Sequence, residues 1–274
     1  MTKSLADRLR ALPDGVILRQ VFLGLVVVSA TMIGLDLREE MKKDGTDAYG
    51  MPSLSPVRMD RPQRDNQIRP YLPLTRPMAP DETSERLQSR PREESEAAPM
   101  HFRLGTHGAA FAEGTITPGS ADALADFLAS ERAKSVTEIV LHSPGGSVPD
   151  ATAMAHIIRD AKLDTRILAD GYCASSCPLV FAGGVKRIAD ATAWIGVHQV
   201  FALTTQFGSL ADGMEQAQMV SADAQDLLAE FGVDPLVWTR AMATPKEKLY
   251  LFTPEELTKL KLATKVEGKV EGSS

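Results

Sequence analysis

The amino-acid sequence predicts an α/β domain built from βαβ units. Short apolar segments typical of buried strands alternate with amphipathic segments over residues 111–198, and the connections between them are short. Glycine- and serine-containing turns follow several of the predicted strands, which is where α/β folds place their sites. A chain of 274 residues with 43% hydrophobic residues has room for one such domain with extensions.

The predicted elements follow one another in a regular order. A strand over Phe111–Thr117 precedes a helix over Pro118–Ser130, whose apolar residues recur on one face. The further predicted strands are Glu138–His142, Thr165–Ala169, Arg187–Asp190 and Ala193–His198. The further predicted helices are Pro149–Lys162, Ser175–Ala182, Leu210–Phe231, Pro235–Met242 and one whose start at Thr253 has the pattern of a capping box.

The N-terminal segment predicts an uncleaved signal-anchor. Residues 21–35 carry no charge, and the helix extends back to residue 16 if Arg19 reaches the membrane surface. Basic residues precede this stretch, so the positive-inside rule puts the N terminus in the cytoplasm and the rest of the chain outside. Residues 1–37 therefore form the first predicted region. A cleaved signal peptide is the alternative, because residues 28–30 are small enough for a cleavage site.

The remaining boundaries follow from composition. Residues 38–100 are polar and proline-rich, which predicts a disordered linker; a docking site for another envelope protein is the alternative. Residues 101–266 form the predicted globular domain, and residues 267–274 a flexible tail. The net charge of -6 argues against nucleic acid as a partner. We expect no cofactor, and no metal, since no pair of His or Cys at ligand spacing completes a site.

Three sequence motifs carry the chemistry. The stretch Gly171–Gly184 follows the predicted strand Thr165–Ala169 and predicts a tight turn at Ser175 and Ser176 that leads into a buried helix. Residues 143–146, Ser-Pro-Gly-Gly, follow a buried strand, and His198 stands at the tip of another. A serine at a helix start, glycine amides and a strand-end histidine are the groups that acyl transfer needs. The alternative for the serine pair is an ordinary helix cap.

The order of these motifs resembles the ClpP/crotonase-like superfamily over about Phe102–Val266. The Cys-Ala-Ser-Ser-Cys centre and the N-terminal segment resemble the predicted periplasmic, membrane-anchored ClpP-like serine proteases of Gram-negative bacteria. The resemblance implies stacked ββα/βαβ units, a homo-oligomer, and a peptide or protein substrate. It also implies Ser175 as nucleophile, His198 as general base, and the amides of Gly146 and Ser176 as the oxyanion hole.

The third member of the catalytic triad departs from the family pattern. Alignment on Pro254-Glu255 puts Lys248 where the family has an aspartate, with Glu247 beside it. A lysine cannot orient the imidazole or stabilise its cation. Three alternatives follow. Glu247, or another acid such as Asp223 or Asp226, orients the imidazole; a dyad of serine and histidine acts without an acid; or the activity has been lost. A serine–lysine pair using Lys248 is a further alternative, although His198 is the more economical base.

Cys173 and Cys177 stand on either side of Ser175. Four residues apart at a helix start, they are close enough for a disulfide, which an extracytoplasmic compartment favours. Two buried thiols are the alternative. The remaining histidines are expected to be structural or to lie near a flexible edge: His142, His156, His101 and His107.

The sequence thus predicts a serine hydrolase, a peptidase by family, held at a bacterial inner membrane by a single pass with its domain in the periplasm. A catalytically inactive scaffold that binds peptides or assembles at the membrane is the second hypothesis, and Lys248 is its main support. An acyl-CoA enzyme of the crotonase type ranks third, because CoA is a cytoplasmic cofactor.

Overall fold

The computed structural model describes residues 14–43, 57–71, 77–78, 98–200 and 210–268. The chain divides into two compact units, residues 1–53 and 54–274. In the first unit, helix α1 spans Asp14–Lys43, and the side chains of residues 21–35 are all exposed. No helix in the described part of the chain reaches the length and apolarity needed to cross a membrane.

The second unit contains the predicted α/β domain. Its strands are β1 (Val57–Arg58), β2 (Ile68–Pro70), β3 (Pro77–Met78), β4 (His101–Leu104), β5 (Ala109–Glu113), β6 (Glu138–His142), β7 (Asp164–Ile167), β8 (Tyr172–Ala174), β9 (Arg187–Asp190), β10 (Trp194–Val197), β11 (Lys248–Leu251) and β12 (Lys265–Glu267). Its helices are α2 (Ser120–Ala129), α3 (Val148–Asp160), α4 (Cys177–Ala182), α5 (Leu210–Glu230), α6 (Leu236–Ala243) and α7 (Pro254–Lys259).

A six-stranded sheet forms the base of the domain, in the order β12-β9-β7-β6-β5-β4. All neighbouring pairs are parallel except β4 and β5. Residues 139–141 of β6 are buried without alternation, as expected for a parallel strand covered on both faces. The predicted flexible tail begins at residue 267, but Glu267 pairs with Asp190 in β12. Residues 269–274 lie outside the described part.

A second sheet has four strands, in the order β2-β11-β10-β8. The chain alternates between the two sheets and then forms a helix: β7, β8, α4, and then β9, β10, α5. The same order holds for β6 and α3. Between them, an isolated bridge from Ser143 to Cys173 takes the place of a full strand in the second sheet. The described domain therefore has the predicted mixed α/β architecture of repeated ββα units.

Sequence signals explain where the helices begin. The side chain of Ser147 accepts a hydrogen bond from the Asp150 amide, and Pro149 occupies the first turn of α3. The predicted capping box at α7 is present, with Thr253 and Glu256 bonded reciprocally. Every residue of α4 is buried, so this helix forms part of the core.

Residues 57–71, here called the N-terminal segment of the domain, differ from the prediction. They fall in the predicted linker of residues 38–100, yet β2 pairs antiparallel with β11. Arg61 contacts Asp170 at 3.0 Å and donates to the Thr192 carbonyl at 2.7 Å. The physical reason is tertiary: Met59 and Tyr71 pack on the apolar cluster around Trp194. Composition alone predicts disorder for this segment, because it takes no account of packing against this face of the sheet.

Candidate active site

The three predicted motifs converge because their strands end at one edge. Strands β8 and β10 are parallel, with Ala174 paired to Gly196, and the amide of Ala174 donates to the Ser143 carbonyl at 3.0 Å. The amide of Ser175 then donates to the Gly196 carbonyl at 2.9 Å. Strand register therefore brings Ser175, the Ser143–Gly146 turn and the end of β10 together.

Ser175 occupies a strained turn between β8 and α4. Its φ of 62° lies in the left-handed region, which residues other than Gly, Asn and Asp seldom adopt. Such strained residues cluster at functional sites. Helix α4 begins two residues later, so Ser176, not Ser175, stands at the N-cap. Ser175 is partly exposed between the buried residues Ala174 and Ser176. A strand-to-helix turn of this kind presents a serine hydroxyl at the surface.

Gly145 packs directly against this turn. With φ of 94°, a Cβ at Gly145 would stand 2.5 Å from the Ala174 oxygen and 2.6 Å from the Ser175 Cβ. A Cβ at Gly146, with φ of 140°, would collide with the Ile116 carbonyl. Only glycine lets the two segments approach this closely.

Two backbone amides beside Ser175 are available as hydrogen-bond donors. Within the described ranges, neither the Gly146 amide nor the Ser176 amide donates to another residue. The Ser176 hydroxyl donates to the Gly146 carbonyl at 3.2 Å, so the residues that bear the two amides are joined. Paired amides next to a nucleophile are the usual donors of an oxyanion hole.

His198 follows β10 and is only 2% exposed. Burial lowers its pKa to about 4, against the opposing effects of a hydrogen bond with the Gln199 backbone and of the Glu247 charge. The imidazole is therefore neutral at pH 7 and can accept a proton. In this conformation the Ser175 hydroxyl makes no hydrogen bond to any described residue, and such catalytic contacts are often loose before substrate binds.

The carboxylates proposed from the sequence do not hydrogen-bond to the imidazole in the part of the chain that the structure describes. The Glu247 side chain is 68% exposed and lies 3.8 Å from Lys246, and it affects His198 through its charge alone. Lys248 is exposed at the start of β11, opposite Pro70. The other two acids considered, Asp223 and Asp226, are exposed on α5. The structure thus brings Glu247 near the base but does not complete a triad among the described residues.

The predicted disulfide between Cys173 and Cys177 is present, with both residues fully buried. It links the end of β8 to the first residue of α4 across Ser175. The described residues contain no group of three or more His, Cys, Asp or Glu side chains arranged as a metal site. His142 accepts from the Tyr172 amide at 3.2 Å and His156 packs edge-on against Phe231, consistent with structural roles.

Tyr71 is a site residue that the sequence did not indicate. Its ring centroid lies 4.3 Å from that of His198, and its hydroxyl donates to the Pro144 carbonyl at 2.8 Å. Nothing in its local sequence marks it, because it stands in the proline-rich stretch that predicts a linker.

The family model of the Clp protease matches residues 99–233. All three motifs lie in this range. Residues 99–233 are therefore similar to the Clp protease family. Two solved structures are similar to the chain at low identity. One is a mutant of the 1510-N membrane-bound stomatin-specific protease, at 17% identity and TM-score 0.46, with 59% of this chain and 78% of the other chain covered. The other is a mutant of ClpP1 from Listeria monocytogenes, at 15% identity and TM-score 0.45, with 60% of this chain and 94% of the other chain covered.

The matched range leaves part of the candidate site outside it. Tyr71 precedes residue 99, and Glu247 and Lys248 follow residue 233. The ClpP-like match therefore covers the serine, the histidine and the glycine turn, whereas the residues around the imidazole come from segments that the family model does not match.

Proposed function

We propose that the ClpP-like domain is a serine hydrolase that cleaves peptides or proteins. Ser175 is the nucleophile, His198 the general base, and the amides of Gly146 and Ser176 the oxyanion donors. The observation that carries this proposal is the left-handed turn at Ser175, packed against Gly145 and flanked by two amides without partners among the described residues.

The chemistry follows from these positions. His198, neutral at pH 7, takes the hydroxyl proton as Ser175 Oγ bonds to the substrate carbonyl carbon. The two amides stabilise the negative oxygen that forms. His198 then gives the proton to the leaving amine, and a water molecule hydrolyses the acyl-enzyme by the same steps. Glu247 supplies a favourable charge for the imidazolium.

Hydrolysis of defined substrates tests this function. The full-length chain is incubated with a panel of fluorogenic peptides and activated esters, next to its Ser175→Ala variant. We expect turnover by the wild-type chain and none above background by the variant. Turnover that survives Ser175→Ala would assign the activity to another group or to a contaminant.

The second candidate function is a non-catalytic scaffold with the same fold. The observations that favour it are the absence of a hydrogen bond from Ser175 to any described residue and the exposure of Glu247. A folded chain that hydrolyses nothing in the panel but binds peptides would support it. ClpP-like proteins are generally oligomeric, so we propose a homo-oligomer in either case, which sedimentation of the purified chain measures.

We further propose that the domain works in the periplasm, attached to the inner membrane through the N-terminal apolar segment. Two observations support this location: the uncharged residues 21–35 with basic residues before them, and the disulfide beside Ser175, since disulfides persist in oxidising compartments. A reporter fused after Pro99 should be active outside the cytoplasm only. A reporter that is active inside the cytoplasm would overturn the proposed location. A mature chain that starts near residue 31 would show that the N-terminal segment is a cleaved signal peptide and not an anchor.

A further inference from the structure

Tyr71 joins two parts of the proposed active site. Its hydroxyl donates to the Pro144 carbonyl at 2.8 Å, in the turn that carries Gly146. Its ring packs on His198, with centroids 4.3 Å apart and planes inclined by 37°. One side chain thus connects the turn with a proposed oxyanion donor to the proposed base.

The backbone of Tyr71 is fixed by the sheet. Its amide donates to the Glu247 carbonyl at 2.9 Å, and the preceding residue Pro70 is paired with Lys248 at the start of β11. Strand β11 pairs in turn with β10, which leads into His198. Proline fits the end of β2 because this is an edge strand. Tyr71 therefore reaches His198 through two consecutive strand pairings.

Side-chain contacts hold the rest of the N-terminal segment. Arg61 forms an ion pair with Asp170 at 3.0 Å and lies 5.4 Å from the centre of the Trp194 ring. Met59 and Tyr71 pack on the cluster that contains Trp194 and Ala174. Ala174 directly precedes Ser175, so the segment supports the sheet face behind the proposed nucleophile as well as the base.

We propose that Tyr71 is a positioning residue that holds the His198 imidazole and the Pro144–Gly146 turn in the relative arrangement needed for acyl transfer. The inference rests on the proposed function. The aromatic ring restricts rotation of the imidazole, and the hydroxyl fixes the Pro144 carbonyl at the start of the turn. Displacement of catalytic groups by about 1 Å lowers rates on the order of 100-fold, so loss of these contacts is expected to be measurable.

Two variants separate the two contacts. Tyr71→Phe removes the hydroxyl and keeps the ring, whereas Tyr71→Ala removes both. Tyr250→Phe is the matched control, because its hydroxyl also bonds in a part-buried position, at 2.7 Å from Glu256, within the same sheet. In the full-length chain we measure the rate at which a fluorophosphonate probe labels Ser175, and the pKa of His198 by NMR titration. Glu247, whose charge acts on His198, is unchanged in all variants.

We expect Tyr71→Phe to slow labelling at pH 7.5 about 10-fold, and Tyr71→Ala about 100-fold. Tyr71→Ala should also raise the pKa of His198 from about 4 towards its ordinary value, about 6.5, because the imidazole gains solvent. The acid limb of the labelling profile should move to higher pH with it. Tyr250→Phe should leave both the rate and the pKa as in the wild type.

If Tyr71→Ala is labelled at the same rate as the wild type, the inference is overturned. A faster rate would also overturn it, because it would mean that the segment covers the site. If Tyr71→Ala does not fold by circular dichroism, the rate of Tyr71→Phe decides in the same way. If the wild type is not labelled at all, the proposed function fails, and the NMR titration still tests the contact: an unchanged pKa of His198 in Tyr71→Ala overturns it.

Discussion

The amide of Ser175 donates a hydrogen bond of 2.9 Å to the carbonyl oxygen of Gly196. Gly196 stands two residues before His198, so this contact ties the turn of the proposed nucleophile to the strand of the proposed base. Because β8 and β10 are parallel, both residues leave the sheet at the same edge. Strand register, and not a long loop, therefore sets the distance between the two groups.

The close approach at Gly145 gives the first prediction. In Gly145→Ala, the new methyl group would stand 2.6 Å from the Ser175 Cβ, and the left-handed backbone would be strained as well. We expect fluorophosphonate labelling to fall about 100-fold or more. Gly213→Ala is the control, because nothing lies within 4 Å of a Cβ there. Labelling of Gly145→Ala at the control's rate would contradict this packing.

Removal of the Cys173–Cys177 disulfide gives the second prediction. Such a short loop adds only about 2 kcal/mol to stability by chain entropy, so the main effect should be on the turn that holds Ser175. The double variant Cys173→Ala, Cys177→Ala should remain folded and lose more than about 10-fold in labelling rate. Full labelling of a folded double variant would mean that the backbone alone fixes the turn.

The long periodic elements of the fold could be predicted from the sequence. Strand β6 and helix α3 both appear close to the predicted bounds, because their hydrophobic patterns record burial directly. Strands β2 and β8 could not be predicted, since each has three residues. Strand β2 is stable through its pairing with β11, a long-range contact that no local pattern in its proline-rich stretch indicates.

The candidate site was predictable to a similar extent. Ser175, His198 and Gly146 stand in motifs whose order carries the information, and the structure brings all three to one edge. The left-handed φ of Ser175 was not foreseen, because the sequence suggested a helix start. Tyr71 was missed since its role arises from tertiary contacts alone.

Burial of His198 predicts a pH dependence of stability. The folded pKa is about 4, below the unfolded value of about 6.5, so only the unfolded chain takes up a proton between these values. Stability should therefore fall as the pH drops from about 6.5 towards 4, by about 2 kcal/mol at pH 5. Urea unfolding measures this slope. In His198→Gln, the free energy of unfolding should no longer fall in this pH range. In His101→Gln, which replaces an exposed histidine, it should fall as in the wild type. Equal slopes in the two variants would contradict the burial of His198.

Exposure of Glu247 predicts a small role for its carboxylate. It acts on His198 through charge and accepts no hydrogen bond from the imidazole among the described residues. Glu247→Gln should lower the pKa of His198 further and change the labelling rate by less than about 5-fold, as expected for an exposed charge. A loss of 1000-fold or more would instead make Glu247 the orienting acid of a triad.

Intact-mass analysis after fluorophosphonate treatment tests the assignment of Ser175 and His198 most directly. The full-length wild-type chain should gain one probe mass, and peptide mapping should locate it on Ser175. Ser175→Ala and His198→Ala should each abolish the adduct, and the double variant should be no worse than either, since the residues act as a unit. Ser176→Ala should retain labelling, because it keeps its backbone amide. An unmodified wild-type chain that is folded, or an adduct that survives Ser175→Ala, would contradict the assignment.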